Sequence, residues 1–411
     1  MNQSFNPYIK IIKQLDDLVK SRFIEMFGSV KGNEKGLKKV VLKTVCSQIV
    51  DGSHNPSKGG NPSEYLMLSS KNVADGSITH DDPRYLSKED FDLEDKRTKV
   101  RPGDILMTIV GTIGRTAIVP MNAGNLTFQR SVAVLHLDNQ QVDPIFLKSC
   151  LDSIQTDIDA EAHGSSQKGI YLNQVEKIPV LVPDLPIQKE FSSFVQQVDK
   201  SKVIAQKAAE KYEQLVKSRF VEMFGDITIN SKSFPTICFG DFTKQMNIGP
   251  FGSDLKNDCF VPENEGYCMV YEQKHAIDKD LKAEKRFVNK RKYEQMRRFD
   301  VGPGDILVSC RGTIGKCVLL PKDAEHGIIH PSLMMIRPKD DVNPAFLLML
   351  LEKILETQNE KGSGVKMAIK ATELSKIKTI NPPKPLQDRF IEFVHEVNKS
   401  IIKPEYFQNT Y

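Results

Sequence analysis

Gly312-Thr-Ile-Gly-Lys316 carries the glycines and the lysine of a phosphate-cradling loop, so nucleotide chemistry is the first reading to weigh. Its spacing rejects that reading. Such a loop needs an earlier glycine and a Ser or Thr after the lysine, and Cys310 and Cys317 hold those places. Eight histidines and seven cysteines are scattered, with no Cys-x-x-Cys pair, and offer no metal-ligand spacing. No Ser–His–Asp set or carboxylate pair stands out by spacing. The polar residues that remain suit binding. Gly111-Thr-Ile-Gly114 and Gly312-Thr-Ile-Gly315 read as hairpins between apolar strands, each with a base at its exit, Arg115 and Lys316. Their glycines serve either a plain turn or close approach to a sugar-phosphate strand, while the cation meets a phosphate. Arg311 precedes the second turn. Gln129-Arg130-Ser131 follows one hairpin and His330-Pro-Ser332 holds the matching position. Gln and Arg make bidentate contacts to adenine and guanine, with solvated loop residues as the competing reading. Ser165, Gln167 and Lys168 in one half, with Ser363 and Lys366 in the other, form a polar loop kept in both. The basic run from Lys282 to Arg298 fits a phosphate-tracking face or a solvated helix equally well.

These residues need elements to position them, and the largest is the stretch from Gln188 to Gly225. It lacks Pro and internal Gly and is rich in Ala, Lys, Glu and Gln, which favours helix. Phe191, Phe194, Val198, Ser201, Ala205, Ala208, Tyr212 and Leu215 alternate three and four apart as a heptad seam. Gly225 stands where a left-handed residue would end the helix. At ~1.5 Å per residue the rod is about 60 Å long and needs a partner. That partner is written at both ends of the chain. Leu18-Val-Lys-Ser-Arg-Phe-Ile-Glu-Met-Phe-Gly28 repeats as Leu215 to Gly225 with one Ile/Val change, and Pro186 to Ser201 recurs as Pro385 to Ser400. Residues 1–28 read as helix, with Tyr8, Ile11, Leu15, Leu18, Arg22 and Met26 on the seam, and Phe390, Phe393 and Val397 continue it at the other terminus. The chain thus begins with the second half of a rod and ends with the first half of another. The expectation is a circular pseudo-two-fold repeat with antiparallel coiled-coil rods.

Between the rods two segments follow the same order. Apolar runs at Val40–Leu42, Tyr65–Leu68, Asp104–Val110, Arg115–Val119 and Ser131–Leu137 predict strands, and Pro144 to Ile158 predicts a helix. Arg101-Pro-Gly-Asp-Ile-Leu106 returns as Gly302-Pro-Gly-Asp-Ile-Leu307, and Asp143-Pro-Ile-Phe-Leu147 as Asn343-Pro-Ala-Phe-Leu347. The scaffold recurs while the loops differ: Asp51-Gly-Ser-His-Asn-Pro56 stands against Gly249-Pro-Phe-Gly-Ser-Asp254. Asn381-Pro-Pro-Lys384 resembles the Asn-Pro-Pro-aromatic motif of adenine methyltransferases, but a lysine replaces the aromatic residue. Pro183-Asp-Leu-Pro186 matches it in the other half, so both read as helix-entry linkers.

Bulk composition is that of a soluble chain, 39% hydrophobic and 27% charged, with 57 bases nearly balanced by 53 acids. Nucleic acid is compatible with this balance but not argued by it. The free thiols, the absence of a signal-peptide core and the lack of a membrane-length apolar run predict a cytoplasmic location.

Taken together, the paired rods, the Pro-Gly-Asp-Ile-Leu and Gly-Thr-Ile-Gly pairs, and the Pro-x-Gln helix starts at Pro186 and Pro385 resemble the specificity subunits of Type I restriction–modification systems. Asp51-Gly-Ser-His54 with Leu68-Ser-Ser-Lys-Asn72, and Gly249 to Lys256, resemble the opening of that family's target recognition domains. The resemblance implies an α+β chain of two α/β recognition domains, residues 29–185 and 227–384. Conserved helices at 1–28, 186–226 and 385–411 would separate them. It implies that Ser53, His54, Lys71, Asn72, Ser253 and Lys256 join the DNA-facing set, and that each domain reads half of a bipartite double-stranded site. It further implies that Leu15, Leu18, Phe191, Phe194, Val198, Tyr212, Leu215, Phe390, Phe393 and Val397 serve helix pairing and the docking of two methyltransferase subunits, which recruit restriction subunits. Methyl donor, ATP and magnesium would belong to those partners, leaving this chain without cofactor, metal or catalysis. A coiled-coil protein scaffold is the other class open, and it accounts for the rods but not for duplicated modules with divergent loops.

Overall fold

The structure, a computed structural model, describes residues 7–74, 76–138, 140–162, 168–281, 283–361 and 370–401, without the side chains of 359–361 and 400–401. Its contacts divide the chain into two units, residues 12–204 and residues 205–411 with 1–11.

In the first unit α1 (Pro7–Phe27) leads to β1 (Lys39–Val41), β2 (Cys46–Asp51), β3 (Tyr65–Leu68), β4 (Val73–Ala74), β5 (Ser77–Ile78) and β6 (Arg84–Tyr85). Helix α2 (Lys88–Thr98) precedes β7 (Ile105–Thr108), β8 (Thr116–Ile118), β9 (Asn125–Phe128) and β10 (Val132–Leu137). Then come α3 (Pro144–Ser153), α4 (Gln155–Ala160), α5 (Leu172–Val175), β11 (Pro179–Leu181) and the long α6 (Leu185–Phe224). The main sheet runs β2-β10-β7-β8, a second runs β6-β3-β9, and β1 pairs with β11 to close the module. The predicted strands are present within a few residues. The predicted helix breaks at Ile154, which links α3 to α4.

The second unit follows the same plan. Its elements are β12 (Thr236–Cys238), β13 (Thr243–Ile248), β14 (Cys268–Tyr271), α7 (Gln273–Ile277), β15 (Arg286–Val288), α8 (Lys290–Met296), β16 (Asp300–Val301) and β17 (Ile306–Ser309). β18 (Cys317–Leu319), β19 (Gly327–Ile329), β20 (Leu333–Pro338), α9 (Pro344–Lys361), α10 (Ala371–Leu374), β21 (Lys378–Ile380) and α11 (Lys384–Ile401) complete it. Its sheets run β13-β20-β17-β18 and β15-β14-β19-β16, and β12 pairs with β21. The basic run ending at Arg298 therefore divides between β15 and α8, and Lys282 lies outside the described residues.

Strand alternation sorts each core into two layers, because successive side chains point to opposite faces. Ile105, Met107, Ala133 and Leu135 pack toward α3 and the rods, while Leu106, Val132 and Val134 pack toward β3 and β9. Ile306, Val308, Met334 and Ile336 repeat the first layer, and Leu307, Leu333 and Met335 the second. With both faces covered, β7 and β17 are buried throughout and each opens on three consecutive apolar residues, Ile105 to Met107 and Ile306 to Val308.

The rods pack through one aromatic cluster made twice. Phe23, Phe27 and Phe191 surround Phe146, with ring centroids 4.9–6.4 Å apart. Phe220, Phe224 and Phe390 gather with Phe346 in the other unit, with centroids at 4.9–6.3 Å. Arg22 lies over Phe194 and Arg219 over Phe393. In the first unit Asp16 meets Lys202 while Phe23 meets Phe191, so α1 and α6 run antiparallel there. Arg219 over Phe393 and Phe224 against Phe390 give the same sense to α6 and α11. Gly28 and Gly225 both take φ +72°, the left-handed termination that the sequence predicts. Two seam assignments need correction. Leu18 and Leu215 are 42% and 47% exposed, because the inward stripe runs through Val19, Phe23 and Phe27 and through Val216, Phe220 and Phe224. One residue of offset turns a helical side chain by ~100°, out of the contact.

The Pro-x-Gln signature has a structural cause. The Gln188 carboxamide is buried, accepts from Asp143 N at 2.9 Å and donates to the carbonyls of Gln141 and Pro183. Gln387 does the same for Asn343 N and Pro382 O. Each amide ties a rod to the cap of the adjoining helix, since Asp143 and Asn343 cap α3 and α9. Asn381-Pro-Pro-Lys384 is the linker into this joint: Asn381 N donates to Pro235 O, and Lys384 pairs with Asp388.

Candidate nucleic-acid interface

The carboxyl ends of β2, β3, β7 and β9 meet at one edge of the first unit. Ser53 N donates to Phe128 O at 2.9 Å, Arg130 N to Ser53 O at 3.0 Å, and Gln129 N to Leu68 O at 2.9 Å. Gly111 N donates to Lys168 O at 3.0 Å, which brings the polar loop's end to the Gly-Thr-Ile-Gly turn. Ser53, Gln129, Arg130, Lys168 and the turn before Arg115 therefore share one edge although they are scattered in sequence. Gly52 has to be glycine: a Cβ there would stand 1.9 Å from Phe128 O.

The second unit builds the same edge. His330 N donates to Tyr271 O and Cys310 N to Ser332 O, each at 2.9 Å. Gly249 matches Gly52, since its N donates to Leu333 O and its Cβ would stand 2.2 Å from His330 O. Ser253 and Lys256 lie exposed on the loop beyond it. Both turns are stapled from below: Thr108 Oγ accepts from Arg115 N and Ser309 Oγ from Lys316 N. Gln273 Nε2 donates to Arg311 O at 2.6 Å and to Thr313 O at 3.1 Å, fixing the second turn onto α7. Gln273 was missed in sequence, because nothing near it signals a partner so far along the chain. Burial holds the His330 imidazole below its ordinary range, and its Nδ1 meets Ser332 Oγ at 2.9 Å.

One assignment is overturned. Asn72 is 1% exposed and satisfied inside the fold, its Oδ1 accepting from Ser69 N and its Nδ2 donating to Asp81 O. It shapes the turn from inside the fold. Lys71 beside it is exposed and pairs with Asp82. Gln167 and Lys366, with Ser165 and Ser363, lie outside the described residues. Among the described residues no cluster of His, Cys, Asp or Glu could hold a metal, and no helix is long and apolar enough to cross a membrane.

The duplicated Pro-Gly-Asp serves the scaffold. Asp104 Oδ2 accepts from Arg101 N and Asp305 Oδ2 from Gly302 N, each folding its turn back. The buried carboxylates then differ in partner: Asp104 meets His136 Nδ1 at 3.0 Å, and Asp305 takes the Arg337 guanidinium. His136 Nε2 lies 2.7 Å from Thr98 O, so both ring nitrogens face acceptors, which favours the imidazolium. The Asp104 carboxylate raises its pKa above the usual 6.5 against the effects of burial and Arg101. Nearby, burial pushes the Cys46 thiol up to about 12. A histidine raised in the folded state lends stability that is complete below ~6.5 and lost as pH climbs through the raised value. Protection of the β10 amides, taken relative to the intrinsic exchange rate at each pH, should therefore fall as pH rises above about 6.5, while that of β20, anchored by Arg337, stays level. His136→Arg should flatten the difference. Equal pH responses in both strands would refute the assignment.

The fold defines a chain with two similar α/β modules, each presenting a loop-built polar edge and each packed on a long helix. It belongs to the family of the Type I restriction modification DNA specificity domain, whose profile matches residues 69–214 and 269–406. A curated relative, the Type I restriction enzyme EcoBI specificity subunit of Escherichia coli, is 34% identical over 128 residues, covering 31% of this chain and 27% of that protein. The match thus spans about a quarter of the relative's length. Among solved structures, the HsdS subunit from Thermoanaerobacter tengcongensis aligns over 91% of this chain and 92% of its own, at 18% identity and TM-score 0.37. The S subunit of a Type I restriction–modification system from M. genitalium aligns over 91% of each chain, at 14% identity and TM-score 0.42.

Proposed function

We propose that this chain is the sequence-reading subunit of a Type I restriction–modification complex, with no catalysis of its own. Family membership over both modules carries the reading. Each module, 29–185 and 227–384, reads half of a bipartite duplex site through the loop edge described above. Ser53, His54, Gln129 and Arg130 face bases in the first half, as do Ser253, His330 and Ser332 in the second. Lys71, Arg115, Lys168, Lys256, Arg311 and Lys316 approach phosphates. Helices at 1–28, 186–226 and 385–411 form a circular pseudo-two-fold repeat of antiparallel coiled-coil pairs, and this is supported by the two matching phenylalanine clusters. The exposed Leu18 and Leu215 face the methyltransferase subunits, which carry the chemistry and recruit the restriction subunits. The complex works in the cytoplasm.

Selection from a randomised duplex pool tests this. The full chain, alone or with its partner subunits, should enrich two short specified segments around an unspecified gap. Arg115→Ala and Lys316→Ala should weaken binding to every duplex alike and lower the salt slope by about one. A chain that enriches nothing would leave the coiled-coil scaffold as the better reading.

A further inference from the structure

The loop that leaves β2 in the first unit is tied to α2 at both ends. At its start the Asp51 carboxylate, 10% exposed, takes the Arg97 guanidinium on one oxygen, while Arg97 Nε donates to the Asp51 carbonyl at 3.0 Å. Farther on, Ser57 N and Oγ both donate to Glu94 Oε1, at 2.7 and 3.0 Å, and Arg84 donates to Ser57 O at 2.8 Å. Gly52 and Ser53 are stapled by their backbones to Val132, Phe128 and Arg130. Between these ties stands His54, its side chain 56% exposed and its Nε2 2.7 Å from the second oxygen of Asp51.

Loop closure is complete without that last contact, and a half-exposed ring adds little stability. What it does is orient the imidazole. An ionised carboxylate only accepts, so Nε2 carries the proton and donates. With Nε2 as the donor, Nδ1 is the acceptor in the neutral form of the ring, and no described residue bonds it. On base edges the donors are exocyclic amines, N4 of cytosine and N6 of adenine in the major groove and N2 of guanine in the minor groove. We propose that His54 is a base-reading residue of the first module, oriented by Asp51 and Arg97 to accept a hydrogen bond from an exocyclic amine. Asp51 and Arg97 are positioning residues.

The second unit supports this by contrast. Because Gly249 takes the place of Gly52, Phe251 stands where His54 stands and Ile248 where Asp51 stands. Phe251 is 72% exposed. One module thus presents a fixed acceptor at this position, and the other an aromatic face with no hydrogen-bonding capacity. A shared scaffold that reads two different half-sites requires a difference of this kind.

The assignment rests on the reading of the chain as a DNA-sequence reader, and one experiment separates the two. Selection from a randomised duplex pool is run with the full chain and with His54→Ala, His54→Phe and Asp51→Asn. His54→Ala and His54→Phe should keep the thermal transition of the parent chain, and each of the three variants should lose about tenfold of preference at a single base pair of one half-site. Asp51→Asn belongs in the set because its amide would donate to Nε2, reversing the ring's proton and removing the acceptor. Duplexes in which the amine at that base is replaced by hydrogen should weaken the parent chain by the same factor and leave His54→Ala unchanged. If the parent chain enriches a bipartite site and the variants keep every preference, His54 is not a reader. Loss of preference in both halves would make the network structural. A parent chain with no preference at all would defeat the family reading and this inference with it.

Discussion

A chain whose residues 37–184 are exchanged for the matching segment of another specificity protein should recognise a new sequence in one half of its site and the old one in the other. Binding to the original site should fall by about 10³ or more, since several specified pairs become mismatches at once. The exchange is feasible because the segment leaves and returns at one place: Lys39 pairs with Leu181 across β1 and β11, and Val182 N donates to Lys38 O at 2.8 Å. Two contacts have to survive at the junction. Phe146 packs among Phe23, Phe27 and Phe191, and Asp143 N donates to the buried Gln188 amide. A donor segment lacking that Phe or that cap should fold poorly. Methylation-site mapping of cells carrying the chimera with its partner subunits gives the result, and a change in both halves would show that the modules do not read independently.

The same junction explains what could be read in the sequence. Leu18–Gly28 and Leu215–Gly225 are nearly identical because both supply two phenylalanines and a left-handed glycine to the same packing problem. Pro-Gly-Asp recurs because its carboxylate folds the turn back on itself. Such features are local, so their residue types and spacing announce them. The His54 network is not local. Arg97 lies on α2, Asp51 at the end of β2, and only the fold brings them together. Asn72 failed for the opposite reason. The family resemblance sets it among the DNA-facing residues, yet the Asn side chain bonds backbone on either side and stays buried. Leu18 and Leu215 failed through the period assumed: heptad spacing drifts from the stripe of 3.6 residues per turn that the phenylalanines follow.

Lengthening the rods by one turn should widen the gap between the half-sites and leave the bases in each unchanged. Four residues inserted in α6 near the exposed Gln206 add about 6 Å of rise and ~40° of rotation. At ~3.4 Å per base pair the gap should grow by one or two pairs. The original site, at its original spacing, should then bind no better than unrelated DNA. Helix α1 complicates the insertion in an informative way. Tyr8 packs with the core of the second unit, whereas Val19, Phe23 and Phe27 pack in the first. Lengthening α6 alone pulls against that, so a matched insertion in α1 near Ile11 should restore stability while keeping the new gap. Two residues in each helix form the control, since a turn of about 200° would aim one module away from the duplex and abolish bipartite recognition. Mapped methylation sites decide the matter: an active four-residue insertion mutant with an unchanged gap would mean that the rods do not measure the DNA.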